Sequence, residues 1–517
     1  MRRQLMTTKR FLMVCPLIVS FLIMQGCYKP AADLGINHTN ISSLAEYKEK
    51  RSDLIKKIRP ETEKLNLQEK KASEQFESLK QEIYSRSQPA TPWISKPFYG
   101  VKDEIAKTQL YKTIQQMPKG SILHLHPGAM GNLPAAIDKA LTRKDAYVLT
   151  KGNNRGMIRF TGGKDWAAVS QMNDFGLNKT DLLKCVTIGA EDESVIDIWP
   201  EFEKIFGRMG HLVINYPYED YLYEAIEYFA VEDNISHLEL REHKPQEANI
   251  ERYKRIINRL ANNGIDISIR LIYCDGRVPG PGESTNDRRS RLRQSLNRAT
   301  DLMEKYPDMV SGFDVYSEED KGLPSSLMAE LLIEAKQKAV AKGVDLNFYF
   351  HGGESIFPVS FNATDEFHTN IPKYYNNNVI DVYLLGAKRI GHGFELAKLP
   401  RLAEYYKEHG ICVELCPISN QLLRYFKDLR NHPGISLFNQ GVPITISPDD
   451  PAIFGYQGVS FDYWVAVMAW DMSLADVKKC IVNSIEYSSL ALPEKSELMK
   501  KWQKKWSKFI EGLEEPF

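Results

Sequence analysis

The 517-residue chain predicts an α/β protein organised as a TIM-type (β/α)8 barrel, with an N-terminal helical arm and an insertion after the first strand. Two observations carry that expectation. From Ser121 onward, eight apolar, β-rich runs alternate with amphipathic stretches of helical length, the pattern of a parallel sheet with crossover helices. Residues able to do chemistry stand at the ends of the first, fifth, sixth and eighth runs, and a closed barrel gathers such ends at one rim.

The elements follow in chain order. Arg2, Arg3, Lys9 and Arg10 precede an apolar run from Phe11 to Met24 that ends at Gly26-Cys27. Residues 1–27 therefore read as an export signal, too short for a confident membrane span. A Cys directly after a small residue suggests lipoprotein-type processing at Cys27; Met24 departs from that motif, so ordinary cleavage or an uncleaved anchor stays open. The expected location is the bacterial cell envelope as a lipoprotein, or the periplasm or exterior, with membrane contact only through this segment. Residues 28–110 are expected to be a polar tether and a helical arm, two charged helices between Ser43 and about Ser87 interrupted at Pro60. Such an arm can pack against a second subunit, which makes a homodimer one expected arrangement.

Residues 111–517 are expected to be the barrel. Its strand runs are Ile122–His126, Ser236–Arg241, Asp266–Cys274, Val310–Tyr316, Asn347–Glu354, Lys388–Phe394, Ile411–Asn420 and Pro443–Asp449. Helical stretches such as Tyr221–Glu232, Asn249–Asn262, Arg288–Lys305 and Ser326–Lys342 lie between them. The first two runs are too far apart for a simple βα unit, and residues near 143–195 read as an insertion over the barrel mouth. The segment from Leu474 to Phe517 is expected to be helical, with Trp502, Trp506 and Phe509 as a packing stripe.

Composition excludes several classes. Hydrophobic residues make up 43% and charged residues 26%, ordinary for a globular chain. The formal net charge is zero, and it becomes −4 without residues 1–27, because four cations and no acid leave with them. No basic stripe remains to bind nucleic acid. Five of the seven cysteines lie beyond Cys27, scattered and without a Cys-x-x-Cys pair, which excludes a disulfide framework and a Cys-ligated zinc deaminase.

His124 and His126 stand two apart on a strand, so both imidazoles point to one face. His351 adds a third nitrogen and Asp449 an oxygen, a donor set that suits zinc first, with iron, cobalt or manganese also compatible. Glu354 follows His351 through two glycines, which let backbone and substrate approach closely; beside a metal-activated water it can donate a proton. His392, between two glycines, is a candidate base or orienter of that water. Asp449 and Asp450 point to opposite sides of an extended backbone, so that one can meet the metal and the other the substrate. The remaining histidines are less telling: His38, His409 and His432 read as exposed or capping positions.

These segments resemble those of the adenosine deaminase family of metal-dependent amidohydrolases, and more particularly its secreted branch, the adenosine-deaminase-related growth factors. The resemblance rests on Met117-Pro-Lys-Gly-Ser-Ile-Leu-His-Leu-His126, His351-Gly-Gly-Glu354, Arg389-Ile-Gly-His-Gly-Phe394, Cys416-Pro-Ile-Ser-Asn-Gln421, Asp428-Leu-Arg-Asn-His-Pro433 and Ser447-Pro-Asp-Asp-Pro-Ala452. It implies a barrel of the metal-dependent hydrolase kind, one Zn2+ per subunit on His124, His126, His351 and Asp449, and dimerisation through the N-terminal helices. It further implies Glu354 as the acid that protonates purine N1, His392 as partner of the attacking water, Asp450 as a catalytic contact to both the purine and that water, and Gly353 and Ser317 as further substrate contacts. The implied reaction is hydrolytic deamination of adenosine or a related 6-aminopurine nucleoside. Three positions depart from the family pattern: Pro127 where an acid commonly holds the ribose, Ser317 where a Gly is usual, and Gly276 where the secreted branch often has His. Two alternatives follow from these departures and from the arm: an amidohydrolase acting on a different amine-bearing substrate, or a non-catalytic surface binding or signalling module.

Overall fold

Eight parallel strands carry the larger part of the computed structural model, which describes residues 41–58, 62–86, 92–214, 217–280, 282–356 and 378–514. The expected export signal, Cys27, His38 and most of the expected tether lie outside the described residues. The strands are β1 (Gly120–Leu125), β2 (Ile235–His243), β3 (Ser268–Gly276), β4 (Val310–Tyr316), β5 (His351–Gly352), β6 (Arg389–His392), β7 (Cys412–Leu415) and β8 (Ile444–Ile446). They pair in sequence order as two four-stranded parallel sheets, β1 to β4 and β5 to β8. Parallel bridges at Phe313↔Phe348 and Leu125↔Asp449 join the sheets at both edges, so that every strand has two parallel neighbours. Each strand is buried almost throughout, because helices cover the outside and side chains fill the inside.

The last four expected strands are shorter in the structure, two of them for evident local reasons. The run Ile411–Asn420 yields only β7, because Pro417 lacks an N–H and has a fixed φ suited to a first helical turn. A short helix, Pro417–Leu422, therefore carries Ser419 and Asn420. In the run Asn347–Glu354 the regular strand ends at Gly352, and Gly353 turns away at φ +77°. The expected insertion contains a three-stranded antiparallel sheet (Tyr147–Leu149, Ile158–Arg159, Trp166–Ala168). After it comes the helix Trp199–Val213, whose buried face includes Trp199, Phe202, Met209 and Val213.

The chain divides into two compact units, residues 1–60 and 61–517. The first contains one described helix, α1 (Leu44–Ile58). In the second, α2 (Leu67–Arg86) packs on the C-terminal helix α3 (Leu492–Glu514). Ala72, Phe76 and Ile83 supply its buried face, with Trp502, Trp506 and Ile510 buried on the other helix. Glu69 of α2 accepts a hydrogen bond from Trp506 Nε1 at 2.7 Å and pairs with Lys478 at 2.6 Å. The aromatic stripe is thus packing. Among the described residues, no helix is long and apolar enough to cross a membrane.

Candidate active site and metal centre

The strand ends converge as a parallel ring requires. His124 (the fifth residue of β1), His126 just past it, His351 at the start of β5 and Asp449 beyond β8 each offer a ligand atom, all within 4.8 Å of one another. His124 Nε2 and His126 Nε2 each lie 3.2 Å from Asp449 Oδ1. Yet His124 Nε2 and Asp449 Oδ1 are buried and make no hydrogen bond, so two polar atoms face one another unsatisfied. An orphaned imidazole nitrogen and an orphaned carboxylate oxygen, with two further imidazoles converging on the same point, can hold a metal ion.

Each imidazole is oriented from behind. His124 Nδ1 meets Glu414 Oε2 at 3.0 Å, and His351 Nδ1 meets Asp314 Oδ2 at 2.7 Å, so that in both rings Nε2 is turned toward the cluster. Asp314 also accepts from the His351 backbone N–H at 2.8 Å. Asp449 Oδ2 accepts from Ser419 Oγ at 2.7 Å; burial raises its carboxyl, but the close His124 and His126 imidazoles outweigh burial and hold it well below the usual range. Burial lowers His351 to about 3, against the pull of Asp314. Neutral imidazoles are what a metal site requires.

The two supporting carboxylates belong to a buried charge network. Arg241, in β2, donates to Asp314 Oδ2 at 3.0 Å, to Glu414, to the Leu123 carbonyl and to the Tyr349 carbonyl at 3.3 Å. Arg389 donates to Glu414 Oε1 at 2.6 Å and to Glu239. Burial alone would raise the Glu414 carboxyl, but Arg241 and Arg389 outweigh it and hold it far below the usual range. Burial opposes ionisation of Asp314 in the same way, and His351 and Arg241 reverse it. Two arginines and three acids thus form a fixed base under the three-histidine cluster.

Glu354, His392 and Asp450 line the same cavity of about 640 Å³, together with His126, Ser317 and Asp449. Glu354 is nearly inaccessible; burial first, then the charges of Asp449, Glu319, Asp450 and Asp320, push its carboxyl well above the usual value. Its loop is held by Glu319, which accepts from the Gly353 and Glu354 amides at 3.0 and 2.9 Å, and by Tyr425, whose hydroxyl donates to the Glu354 carbonyl at 3.2 Å. His392 lies with Nδ1 3.3 Å from Glu354 Oε1 and Nε2 3.9 Å from Asp449 Oδ2, and burial keeps it well below its usual pKa. Asp450 is pushed up by burial and by the adjacent Asp449 charge, and its Oδ1 has no hydrogen-bond partner. Gly353 is not part of the cavity wall; a Cβ there would meet Val379 at 2.6 Å.

Backbone strain marks this rim. His392 (φ +60°), Asp449 (+64°) and Ser317 (+82°) hold a left-handed conformation that costs a non-glycine residue about 1 kcal/mol or more, and all three follow or end ring strands. Ser317 sits beside Gly276, where an added Cβ would lie 3.1 Å from its hydroxyl oxygen. Two of the three departing positions are therefore neighbours, and a side chain at one crowds a side chain at the other.

No local spacing in the sequence marks Asp314, Glu414 and Arg241 as supports of the site, and the motifs that contain Asn420 and His432 do not disclose their partners. His432 is a correction in part: it caps the turn Leu429–Asn431 as expected, but it is buried rather than exposed, with its ring 4.8 Å from that of Phe426 and 5.2 Å from that of Trp470. Its polar neighbours Arg430 and Asn431 hid those packing partners, which come from elsewhere in the chain. An acid inside an apolar strand-like run was the available signal for Asp314 and Glu414.

Comparison with known proteins agrees with this arrangement. Residues 375–505 match the family model described as adenosine deaminase. Adenosine deaminase 2 of Dictyostelium discoideum is 30% identical over 439 residues, covering 79% of this chain and 76% of its own. Adenosine deaminase 2 of Pongo abelii is 31% identical over 483 residues, covering 86% and 89%. Among solved structures, an amidohydrolase from Burkholderia ambifaria with bound Zn superposes with a TM-score of 0.54 at 17% identity, over 78% of this chain and 94% of its own. The Arabidopsis ADAL complex with IMP superposes with a TM-score of 0.52 at 18% identity, over 77% and 99%. At that identity the superpositions speak for the α/β fold, with its parallel sheets, and the sequence matches speak for the lineage. The chain belongs to the adenosine deaminase family, on the side of the adenosine deaminase 2 proteins.

Proposed function

We propose that this protein is a zinc-dependent hydrolase that deaminates adenosine or a related 6-aminopurine nucleoside, on a (β/α)8 barrel of the metal-dependent hydrolase kind. The observation that carries the proposal is the pairing, in one cavity, of a four-residue metal cluster with a buried acid whose carboxyl is pushed well above its usual range. His124, His126, His351 and Asp449 would hold the zinc. When bound, zinc would supply Lewis-acid chemistry that brings the pKa of a water to about 7.

The chain's own residues account for the rest. Glu354, kept protonated by burial and neighbouring carboxylates, gives its proton to purine N1 and makes C6 electrophilic. His392 faces the attacking water from the side of Asp449 and Glu354. Asp450 presents an unpaired carboxyl oxygen to the substrate, and the Ser317 hydroxyl stands on the same wall. Water adds to C6, and the C6–N bond of the tetrahedral adduct breaks. One water proton leaves on ammonia and the other restores Glu354, leaving the 6-oxo product. The cavity excludes bulk water from the acid, which strengthens each of these contacts.

The second reading, deamination of a different amine-bearing substrate, is favoured by Pro127 in the cavity wall, which offers no side-chain hydrogen bond to a sugar. A panel of 6-aminopurine nucleosides varied at the ribose, with ammonia and zinc measured on the same sample, separates the two. Activity that depends on the ribose hydroxyls supports a nucleoside; ammonia released only from other amines supports the second reading.

The metal assignment gives a further expected result. Asp314→Asn places an amide where an acceptor now faces His351 Nδ1, which turns that imidazole toward the wrong tautomer. Zinc affinity in chelator competition should fall about 10- to 100-fold. Wild-type affinity in the folded variant would remove Asp314 from the site's support.

A further inference from the structure

Two sequence motifs remain without a role in the reaction above, the segment 416–421 after β7 and the segment 428–433 that follows it. The structure ties them into one hydrogen-bond chain that ends on both proton-handling residues. We propose that His432 and Asn420 are positioning residues that fix His392 in the tautomer with its proton on Nε2, so that His392 donates a hydrogen bond to the attacking oxygen and does not take its proton.

A backbone amide, whose direction is unambiguous, sets the direction of the whole hydrogen-bond chain. The Gly434 N–H donates to His432 Nδ1 at 3.0 Å. A neutral imidazole has one N–H, so with Nδ1 accepting, the proton of His432 is on Nε2. That nitrogen lies 3.0 Å from Asn420 Oδ1 and donates to it. The Asn420 amide is thereby oriented with Nδ2 toward His392 Nδ1 at 3.1 Å and toward Glu354 Oε1 at 3.2 Å. The flipped amide fails: it would set an NH2 group against His432 Nε2, and one neutral ring cannot accept at both nitrogens. Burial keeps His432 neutral, with its pKa lowered to about 3.

An amide NH2 only donates, so both atoms that face it accept. His392 Nδ1 therefore carries no proton, and the N–H of the neutral ring is Nε2, the nitrogen directed toward Asp449. By the same contact the proton of Glu354 is directed to Oε2, because Oε1 is occupied as an acceptor. One fully buried side chain thus sets the hydrogen-bonding direction of the acid and of the histidine together. The neighbouring Ser419 holds Asp449, so this short helix serves three site residues.

The tautomer stands on the hydrogen-bond geometry alone, while its role toward the attacking oxygen rests on the deamination reading. The test is the 15N spectrum of the histidine-labelled, zinc-loaded protein, with the His392 signals identified by their loss in His392→Gln. The expected wild-type ring has an unprotonated Nδ1 and a protonated Nε2. Asn420→Asp, whose carboxylate can only accept, should move the proton to Nδ1 and lower kcat by about 100-fold, with KM and zinc content within about threefold of wild type. A wild-type His392 protonated on Nδ1 overturns the proposal, as does a folded Asn420→Asp protein with the tautomer and kcat both unchanged. Loss of the deamination reading shows separately, as a wild-type protein with the expected spectrum and no ammonia release.

Discussion

Glu354→Gln is expected to lower kcat for deamination by about 10²- to 10⁴-fold, the usual range for a general acid, with zinc content unchanged and KM altered only a few-fold. Glutamine has nearly the same shape, so the backbone bonds from Gly353 and Glu354 to Glu319, and from Tyr425 to the Glu354 carbonyl, survive the change. What disappears is the acidic proton assigned to N1. The carboxyl is suited to this task by its surroundings: burial and the charges of Asp449, Glu319, Asp450 and Asp320 raise it well above the usual carboxylate range and favour its protonated form. Steady-state rates together with metal analysis check the prediction. A variant with a wild-type kcat would mean that another group protonates the substrate.

Arg241→Leu should destabilise the fold by about 3–5 kcal/mol, the largest stability effect expected of one substitution here. The arginine is the common partner of Asp314 and Glu414, and it also satisfies the carbonyls of Leu123 and Tyr349. Removing it leaves two buried carboxylates with less compensation, and leucine offers their oxygens nothing. The same loss should reach the metal, because those carboxylates orient His351 and His124. Urea unfolding of the metal-free proteins isolates the stability term from the binding term. A shift below 1 kcal/mol would show that water replaces the guanidinium, and that the network is not a fixed base.

The reacting residues were more legible in the sequence than their supports, for a physical reason. His124 and His126 are two apart because a strand's side chains alternate, and His351 and Glu354 share one turn; such relations are local and survive as spacing. The partners of those residues are not local. His124 is oriented by Glu414, 290 positions away across the ring, and His351 by Asp314 on the neighbouring strand. Ring closure sets those pairs, and no spacing encodes them. The same holds for Asn420: its motif was visible, but its task appears only when β6 and β7 stand side by side and His432 folds in beneath. Proline at 417 and the positive φ of Gly353 explain why two expected strands stopped early.

The most direct test of this account is the conversion of adenosine by the protein at measured zinc occupancy, following ammonia and the 6-oxo product together, with Glu354→Gln in parallel. Zinc-dependent deamination predicts one ammonia for each product formed, loss of the reaction on zinc removal, its return with zinc, and a nearly inactive variant. Full zinc occupancy with no ammonia from adenosine or any other 6-aminopurine nucleoside would contradict it.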